Sequence, residues 1–525
     1  MSNKVISSQQ AAELIKDEDT LGVNGFVGFG HPEELSVAIE ERFLATGHPA
    51  NLTLVYGAGQ GDGKSPFGLN HFGHEGLTKK VICGHVGLAP KLAALISNNI
   101  IEGYNFPQGV VTHLFRAIAG NKVGVITHVG LKTFADPRIE GAKMNSKTKE
   151  DAVELINVAG KELLLYKHLP INVALIRGTT ADEFGNITME EEAVFLETLS
   201  IAQAAKNSGG IVIAQVKRLA KRGSLNPQHV KIPGIMVDHI VIAKPENHMM
   251  SFTVDYNPAY SGQIKVPLDS LSMLELNERK IIARRSAFEL IPGGVINLGI
   301  GVPDGVATVA LEEGLGESIS LSIESGAIGG VPGPGLNIGA STNPDALIDH
   351  PYQFDYYDGG GLDVTFLGLA EADQYGNINV SKFNNRAVGC GGFINISQNS
   401  KKVIFCGTFT AGSSNIEIHD GKLQINKEGK HKKFVQAVEQ ITFSGDYAND
   451  IGQDVLYITE RAVFKLSKDG LMLVEIAPGI DLQRDILEQM EFTPTISPDL
   501  KLMDHRIFVD VPMGIRGEIL SKDYK

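Results

Sequence analysis

The chain has 525 residues, of which 43% are hydrophobic and 21% charged, and its formal net charge is -14. That length exceeds what one core supports and provides for about two to four domains. The acidic balance argues against nucleic acid as the main partner, because phosphate binding wants a basic face. No apolar run approaches the ~18 residues of a membrane span, and three scattered cysteines, Cys83, Cys390 and Cys406, are too few for a disulfide framework.

In chain order, Ser7-Ser8-Gln9-Gln10 followed by Ala11 to Lys16 reads as a capped amphipathic helix rather than a signal peptide, so a cytoplasmic location is expected. Gly22 to Leu35 predicts a strand, a glycine turn with Pro32, and a helix through Val37, Ala38 and Ile39. Leu52 to Gly57 predicts a second strand, leading into the loop Gly57-Ala58-Gly59-Gln60-Gly61-Asp62-Gly63. That loop suits either one wall of a cleft or a plain surface turn. His71, His74, Cys83 and His85 lack the usual metal-ligand spacings, so packed or hydrogen-bonded histidines and no metal are expected.

The chain then resembles itself. Gly294 to Asp304, followed by a helix from Val306 to Leu311, repeats the G-x-G-x-P opening of Gly28 to Pro32. Leu321-Ser322-Ile323-Glu324-Ser325-Gly326 follows as Leu52 to Gly57 does, and Asp363 to Ile378 matches Asn172 to Ile187. Three matches in one order predict two homologous α/β domains with open, mostly parallel sheets, spanning 1–265 and 275–525, with a boundary in the polar stretch from Tyr256 to Leu276.

The asymmetry between the copies points to chemistry. Glu324 falls opposite Val55, so only the second copy places a carboxylate at this strand end, and five glycines between Gly326 and Gly335 leave the backbone open to a ligand. Further on, Gly389-Cys390-Gly391-Gly392 bares backbone N–H groups before a strand expected at Phe393 to Ile396; two such groups aimed at one point make an oxyanion hole. The same run also fits a bulged turn. A carboxylate without a histidine or metal partner is a poor base for water but a workable nucleophile toward an activated acyl group. Attack on a thioester gives a mixed anhydride; the released thiolate can return to the glutamyl carbonyl, leaving an enzyme thioester and a free acid. A second carboxylate reverses the sequence.

These residues carry a resemblance. The Glu324-Ser325-Gly326 turn, the Gly389 to Phe393 run, the G-x-G-x-P openings, and the distal Thr459 to Phe464 and Glu475 to Ile480 stretches resemble family I CoA-transferases over essentially the whole chain, in particular the branch that uses short-chain acyl-CoA with propionate or acetate. The resemblance implies two fused halves that are separate α and β subunits in some relatives. It implies a ping-pong exchange through a glutamyl-CoA thioester on Glu324, and oxyanion-stabilising amides at Gly391 and Gly392. It further implies no metal or other cofactor, CoA being a substrate, and a homo-oligomer, often a tetramer. Expected substrate or CoA contacts are Gly28, Gly30, Gln60, Gly299, Gly301, Gly326, Arg386 and Gly389. The CoA phosphates need cations, for which Arg386, Lys382 or the cluster Lys427, Lys430, His431, Lys432 and Lys433 are the choices. That cluster follows an Asp420-Gly421 hairpin signal and also fits a solvated edge. Tyr352, Phe354, Tyr356 and Tyr357 fit either an acyl pocket or core. A thioesterase on the same scaffold remains an alternative. A nucleotide or sugar-phosphate module is disfavoured, because Gly299-Ile300-Gly301 lacks the full G-x-G-x-x-G and there is no P-loop lysine.

Overall fold

The computed structural model describes residues 4–64, 66–267 and 274–522. Two compact units form: one from Met1–Val266, Ile323–Asp355 and Ser381–Asn395, the other from Pro267–Ser322, Tyr356–Val380 and Ile396–Lys525. This grouping cuts across the chain-order division into 1–265 and 275–525. Backbone bonds supply the reason: His350 N donates to Leu196 O (3.0 Å), Asn343 N to Ala259 O (3.1 Å), and Val86 N and Gly87 N both to Val388 O (2.8 and 2.9 Å). Residues 268–273 of the expected boundary stretch lie outside the described residues. Among the described residues no helix is long and apolar enough to cross a membrane.

The first unit is built on a parallel sheet whose strands lie in the order His239–Ile242, Ile211–Ala220, Val173–Asp182, Thr20–Val23, Leu52–Tyr56, Thr78–Cys83, Glu102–Asn105. Leu52–Tyr56 and Val173–Asp182 are buried along their whole length, as expected of Val- and Leu-rich runs covered on both faces. Leu21, Val23, Leu54, Val81, Leu175 and Ile213 share one core. The chain winds outward from Thr20–Val23 to Glu102–Asn105, then returns to lay Val173–Asp182 on the other side of the first strand. The sheet therefore has a switch point there, the kind of place where open α/β sheets take ligands. The expected N-terminal cap is present, Ser7 and Gln10 forming a reciprocal capping box.

The second unit holds Ser320–Ser322, Val295–Leu298, Val364–Gly368, Lys402–Cys406 and Asp454–Ile458 side by side and parallel, extended by the antiparallel Ala462–Ser467 and Gly470–Ile476. The expected helix lies at Gly305–Glu312. Asp420 and Gly421, both at positive φ, close the hairpin Asn415–His419 with Lys422–Lys427, as an Asp-Gly turn should.

The repeat is visible bond for bond. In the first unit Asp182 Oδ1 accepts from Phe184 N (3.0 Å) and Asn186 N (2.9 Å), and Oδ2 from Asn186 Nδ2 (3.0 Å). In the second, Asp373 Oδ1 accepts from Tyr375 N (3.0 Å) and Asn377 N (3.1 Å), and Oδ2 from Asn377 Nδ2 (3.0 Å). Each turn needs Gly at its fourth place, Gly185 at φ +99° and Gly376 at +80°. One expectation is corrected: Phe393 to Ile396 is not a strand but the start of the helix Phe393–Asn399. Its alternating Phe-Ile-Asn-Ile pattern misleads because both the apolar and the polar residues there are buried, Asn395 and Ser397 at 0% exposure, so no period is left to read.

Replacing Asp182 or Asp373 with alanine strands the two turn amides, a further backbone amide (Gly223 or Val438) and an Asn side chain. Each change is expected to cost about 1–3 kcal/mol, measured as a shift in the denaturant midpoint of the unit concerned.

Candidate active site

Gln108 and Gly392, which meet the Glu324 carboxylate, belong with it to the first unit. The carboxylate follows directly after Ile323, whose N–H donates to Ala327 O (2.8 Å), and Gly326 N closes the turn onto Ile323 O (3.0 Å). Gly326 has φ +111°, and a Cβ on it would collide with the carbonyl of Ile348, so no other residue fits. Ser325 Oγ, fully buried, donates to Gly339 O (2.5 Å) and anchors the other side.

A second segment is strapped alongside. Gly389 N donates to Ser381 O (3.0 Å), Cys390 N to Asn105 Oδ1 (2.9 Å) and Gly391 N to Gly84 O (2.7 Å), while Gly391 O accepts from Gln108 N (2.9 Å). The strap brings Gly392 against the Glu324 carboxylate: a Cβ built there would overlap Glu324 Oε2 and stand 3.0 Å from its Cδ and 3.2 Å from Phe354 Cζ. This changes the expected oxyanion hole. Gly391's amide is already committed to the Gly84 carbonyl, whereas Gly392's has no acceptor among the described residues. Burial pushes the Cys390 thiol far up, so it is no thiolate nucleophile.

Sequence reading missed Gln108. It is the first residue of the helix Gln108–Ala119, and its Nε2 donates to Glu324 Oε1 (3.2 Å). The same Nε2 lies 3.0 Å from His350 Nε2, and His350 Nδ1 lies 2.7 Å from Glu197 Oε2. These residues stand far from Glu324 in sequence and share no spacing motif. The one local signal for Gln108 is a polar side chain opening a helix right after a strand and Pro107. Burial pushes the Glu324 carboxyl above its ordinary range, and the nearby His350 and the Gln108 hydrogen bond oppose this without cancelling it. A carboxylate held in that state is more basic, and so more nucleophilic, than one free in water.

The other expected site residues divide. Gln60 is spent internally, its Oε1 on His31 Nδ1 (2.6 Å) and its Nε2 on Val23 O (3.2 Å). Gly28 makes room for Phe252, and Gly30, at φ +66°, turns the chain under Leu196. Their loop reaches the Glu324 surroundings through Phe26, whose ring meets His350 edge-on at 6.1 Å. Arg386 is exposed on a short hairpin, its strand register Phe383 to Arg386. Gly299 and Gly301 lie in the second unit, where their amides donate to Phe366 O (2.7 Å) and Asp304 Oδ2 (3.0 Å). In the basic cluster Lys427, Lys430, His431 and Lys432 are exposed, but Lys433 is buried, which lowers its ammonium to about 8. Phe354 and Tyr357 are fully buried while Tyr352 and Tyr356 are exposed, and Phe354 stands beside Gly392 where that glycine meets Glu324. His71 and His74 share Glu40, each at 2.5 Å; they are hydrogen-bonded histidines.

The family profile described as Coenzyme A transferase matches residues 5–243. Caffeate CoA-transferase of Acetobacterium woodii is 50% identical over 511 residues, 96% of this chain and 97% of that protein. The chain belongs to the coenzyme A transferase family. Acetate CoA-transferase YdiF of Escherichia coli K12 is 47% identical over 512 residues, 97% of this chain and 96% of its own. The crystal structure of the acyl-CoA transferase YdiF apoenzyme from Escherichia coli O157:H7 superposes with a TM-score of 0.93 at 46% identity, covering 98% of this chain and 97% of that one. A second YdiF structure, a thioester complex with CoA, gives a TM-score of 0.92 at 45% identity over the same shares, 98% and 97%. The protein is thus a CoA-transferase enzyme whose single chain joins the two halves.

Adding a methyl group at Gly392 forces the Glu324 carboxylate aside while leaving the backbone alone. Gly392→Ala is expected to lower kcat by about 10²-fold, the usual effect of a misplaced reacting group, with an unchanged thermal midpoint by calorimetry.

Proposed function

We propose that this CoA-transferase moves CoA between a short-chain acyl-CoA and a free short-chain carboxylate, acetate and propionate among them, through a glutamyl-CoA thioester on Glu324. The observation that carries the reading is the Glu324 carboxylate, set among buried groups, given a single neutral donor by Gln108 and left uncovered by the missing side chain of Gly392. Glu324 attacks the thioester carbonyl and forms a mixed anhydride, expelling CoA thiolate. The thiolate attacks the glutamyl carbonyl; the acyl carboxylate leaves and the enzyme thioester remains. The acceptor carboxylate then attacks that thioester, and the two steps run backward to release the new acyl-CoA and regenerate Glu324. Each tetrahedral intermediate carries an oxyanion: where it develops on Glu324's own oxygen the Gln108 N–H already faces it, and the uncommitted Gly392 amide is a further available donor.

The names of the relatives bear on this reading in two directions. Acetate CoA-transferase YdiF supports a short-chain acid, and the YdiF thioester complex with CoA supports a covalent CoA intermediate. Caffeate CoA-transferase raises an aryl acid as the competing acceptor. A hydrophobic pocket discriminates one methylene by only about 1–3 kcal/mol, so acetate, propionate and butyrate should all serve. A cytoplasmic homo-oligomer without metal completes the proposal.

Incubation with propionyl-CoA followed by intact-protein mass spectrometry should show a CoA-sized adduct that peptide mapping places on Glu324, that borohydride reduces, and that acetate discharges. Glu324→Gln should form none and lose turnover. Adduct loss to water as fast as to acetate would favour a thioesterase instead, and discharge by caffeate but not by acetate would replace the short-chain acceptor.

The pH dependence has a definite sign. Attack needs the ionised carboxylate, and burial raises the Glu324 pKa, so activity should fall on the acid side at a pH above that of an ordinary glutamate. Deleting the Gln108 donor removes an interaction that favours the ion; Gln108→Leu should move this acid limb of kcat/KM further up, read from a pH–rate profile.

A further inference from the structure

Behind Glu324 lies a row of buried polar groups that the nucleophile's chemistry does not itself consume. Gln108 Nε2 stands between Glu324 Oε1 (3.2 Å) and His350 Nε2 (3.0 Å), and His350 Nδ1 meets Glu197 Oε2 at 2.7 Å. The side chains of His350 and Glu197 have no exposed surface. An amide nitrogen donates and does not accept. The bond to His350 therefore requires its Nε2 to carry the lone pair, which puts the ring proton on Nδ1, where Glu197 accepts it.

With a neutral ring, one arrangement of protons satisfies the whole row. Turned over, the Gln108 carboxamide would set its oxygen against the Glu324 carboxylate oxygen and, with the ring proton held on Nδ1 by Glu197, against an imidazole lone pair as well. Packing fixes where the ring sits: Phe26 meets it at 6.1 Å, Phe354 at 5.2 Å, and His350 N is tied to Leu196 O at 3.0 Å. Packing does not choose the tautomer; Glu197 does. The second oxygen of Glu197 is buried without a partner among the described residues. A carboxylate left half-unpaired in the interior costs stability, which a space-filling role would not require.

We propose that His350, held in its Nδ1–H tautomer by Glu197, is a positioning residue that keeps the Gln108 carboxamide turned with N–H toward Glu324. The inference rests on the reading of Glu324 as the nucleophile. It gives the buried pair a task in the reaction, because an unfixed carboxamide would spend part of its time presenting its oxygen to the reacting carboxylate.

The test is a set of variants of the full chain compared by steady-state kinetics, adduct formation with propionyl-CoA and thermal unfolding. His350→Leu and the isosteric Glu197→Gln should each lower kcat by about 10²-fold, the effect of losing one preorganised donor, with KM for acyl-CoA nearly unchanged. His350→Gln, whose Oε1 can accept from Gln108, should recover most of the loss. In a Gln108→Leu background, His350→Leu should cost nothing more, since the group it positions is gone. If the two penalties instead multiply, or if His350→Gln is no better than His350→Leu, the ring serves packing and the positioning role is overturned. Absence of an adduct in the wild-type protein would remove the nucleophile reading and the positioning role with it; an adduct in the wild type with multiplying penalties removes the positioning role alone.

Discussion

Withdrawing a carboxylate from water without giving it a cation is the constraint on which the surroundings of Glu324 depend. An ion in the interior normally acquires a cation or several donors, or else takes up a proton. Among the described residues Glu324 has one neutral donor, and burial, only partly offset by it and by the nearby His350, raises its proton affinity. Too much stabilisation would make a poor nucleophile, and too little would leave the group protonated. A single carboxamide hydrogen bond, worth less than an ion pair, sits between those limits.

Bringing the groups to that balance requires backbone to approach backbone more closely than side chains allow. Gly326 is excluded from any other identity by the Ile348 carbonyl, Gly389 by His85 and Gly84, and Gly392 by the carboxylate itself. The bonds from Gly391 to Gly84 and from Gln108 to Gly391 then lock the glycine strap to the first turn of the Gln108 helix. Glycine here trades conformational entropy for proximity. The strap comes from residues 381–395 and Glu324 from 323–355, which is why the compact unit draws on segments from both halves of the sequence.

That arrangement decides what was legible in the sequence. Glu324 stood out because its counterpart, Val55, lacked a charge, and the repeat that made the comparison possible reappears as identical Asp182 and Asp373 turns. The glycine run was legible as a motif but not in its bonding: nothing in Gly389-Cys390-Gly391-Gly392 tells that one amide is taken by Gly84 and the next is not. The strand expected at Phe393 failed because a fully buried short helix shows neither period. Gln108, His350 and Glu197 were invisible for another reason: their meeting is a product of the fold, and each alone looks like a stray polar residue.

The second unit supplies the contrast that shows neighbours, not residue type, decide what a buried glutamate does. Glu460, fully buried, accepts from Arg461 Nε at Oε1 (2.7 Å) and from Phe409 N at Oε2 (2.9 Å). Arg461 is in turn held by Glu428 at 2.6 Å. Both oxygens of Glu460 are used and its charge is neutralised by a guanidinium, so attack on an acyl carbon would mean breaking a buried ion pair, a loss of several kcal/mol. Glu324 faces no such penalty, because Gln108 carries no charge to separate from it. Two buried glutamates of one chain thus differ in what their neighbours leave free: Glu460 is tied to a guanidinium, while Glu324 meets an amide that carries no charge.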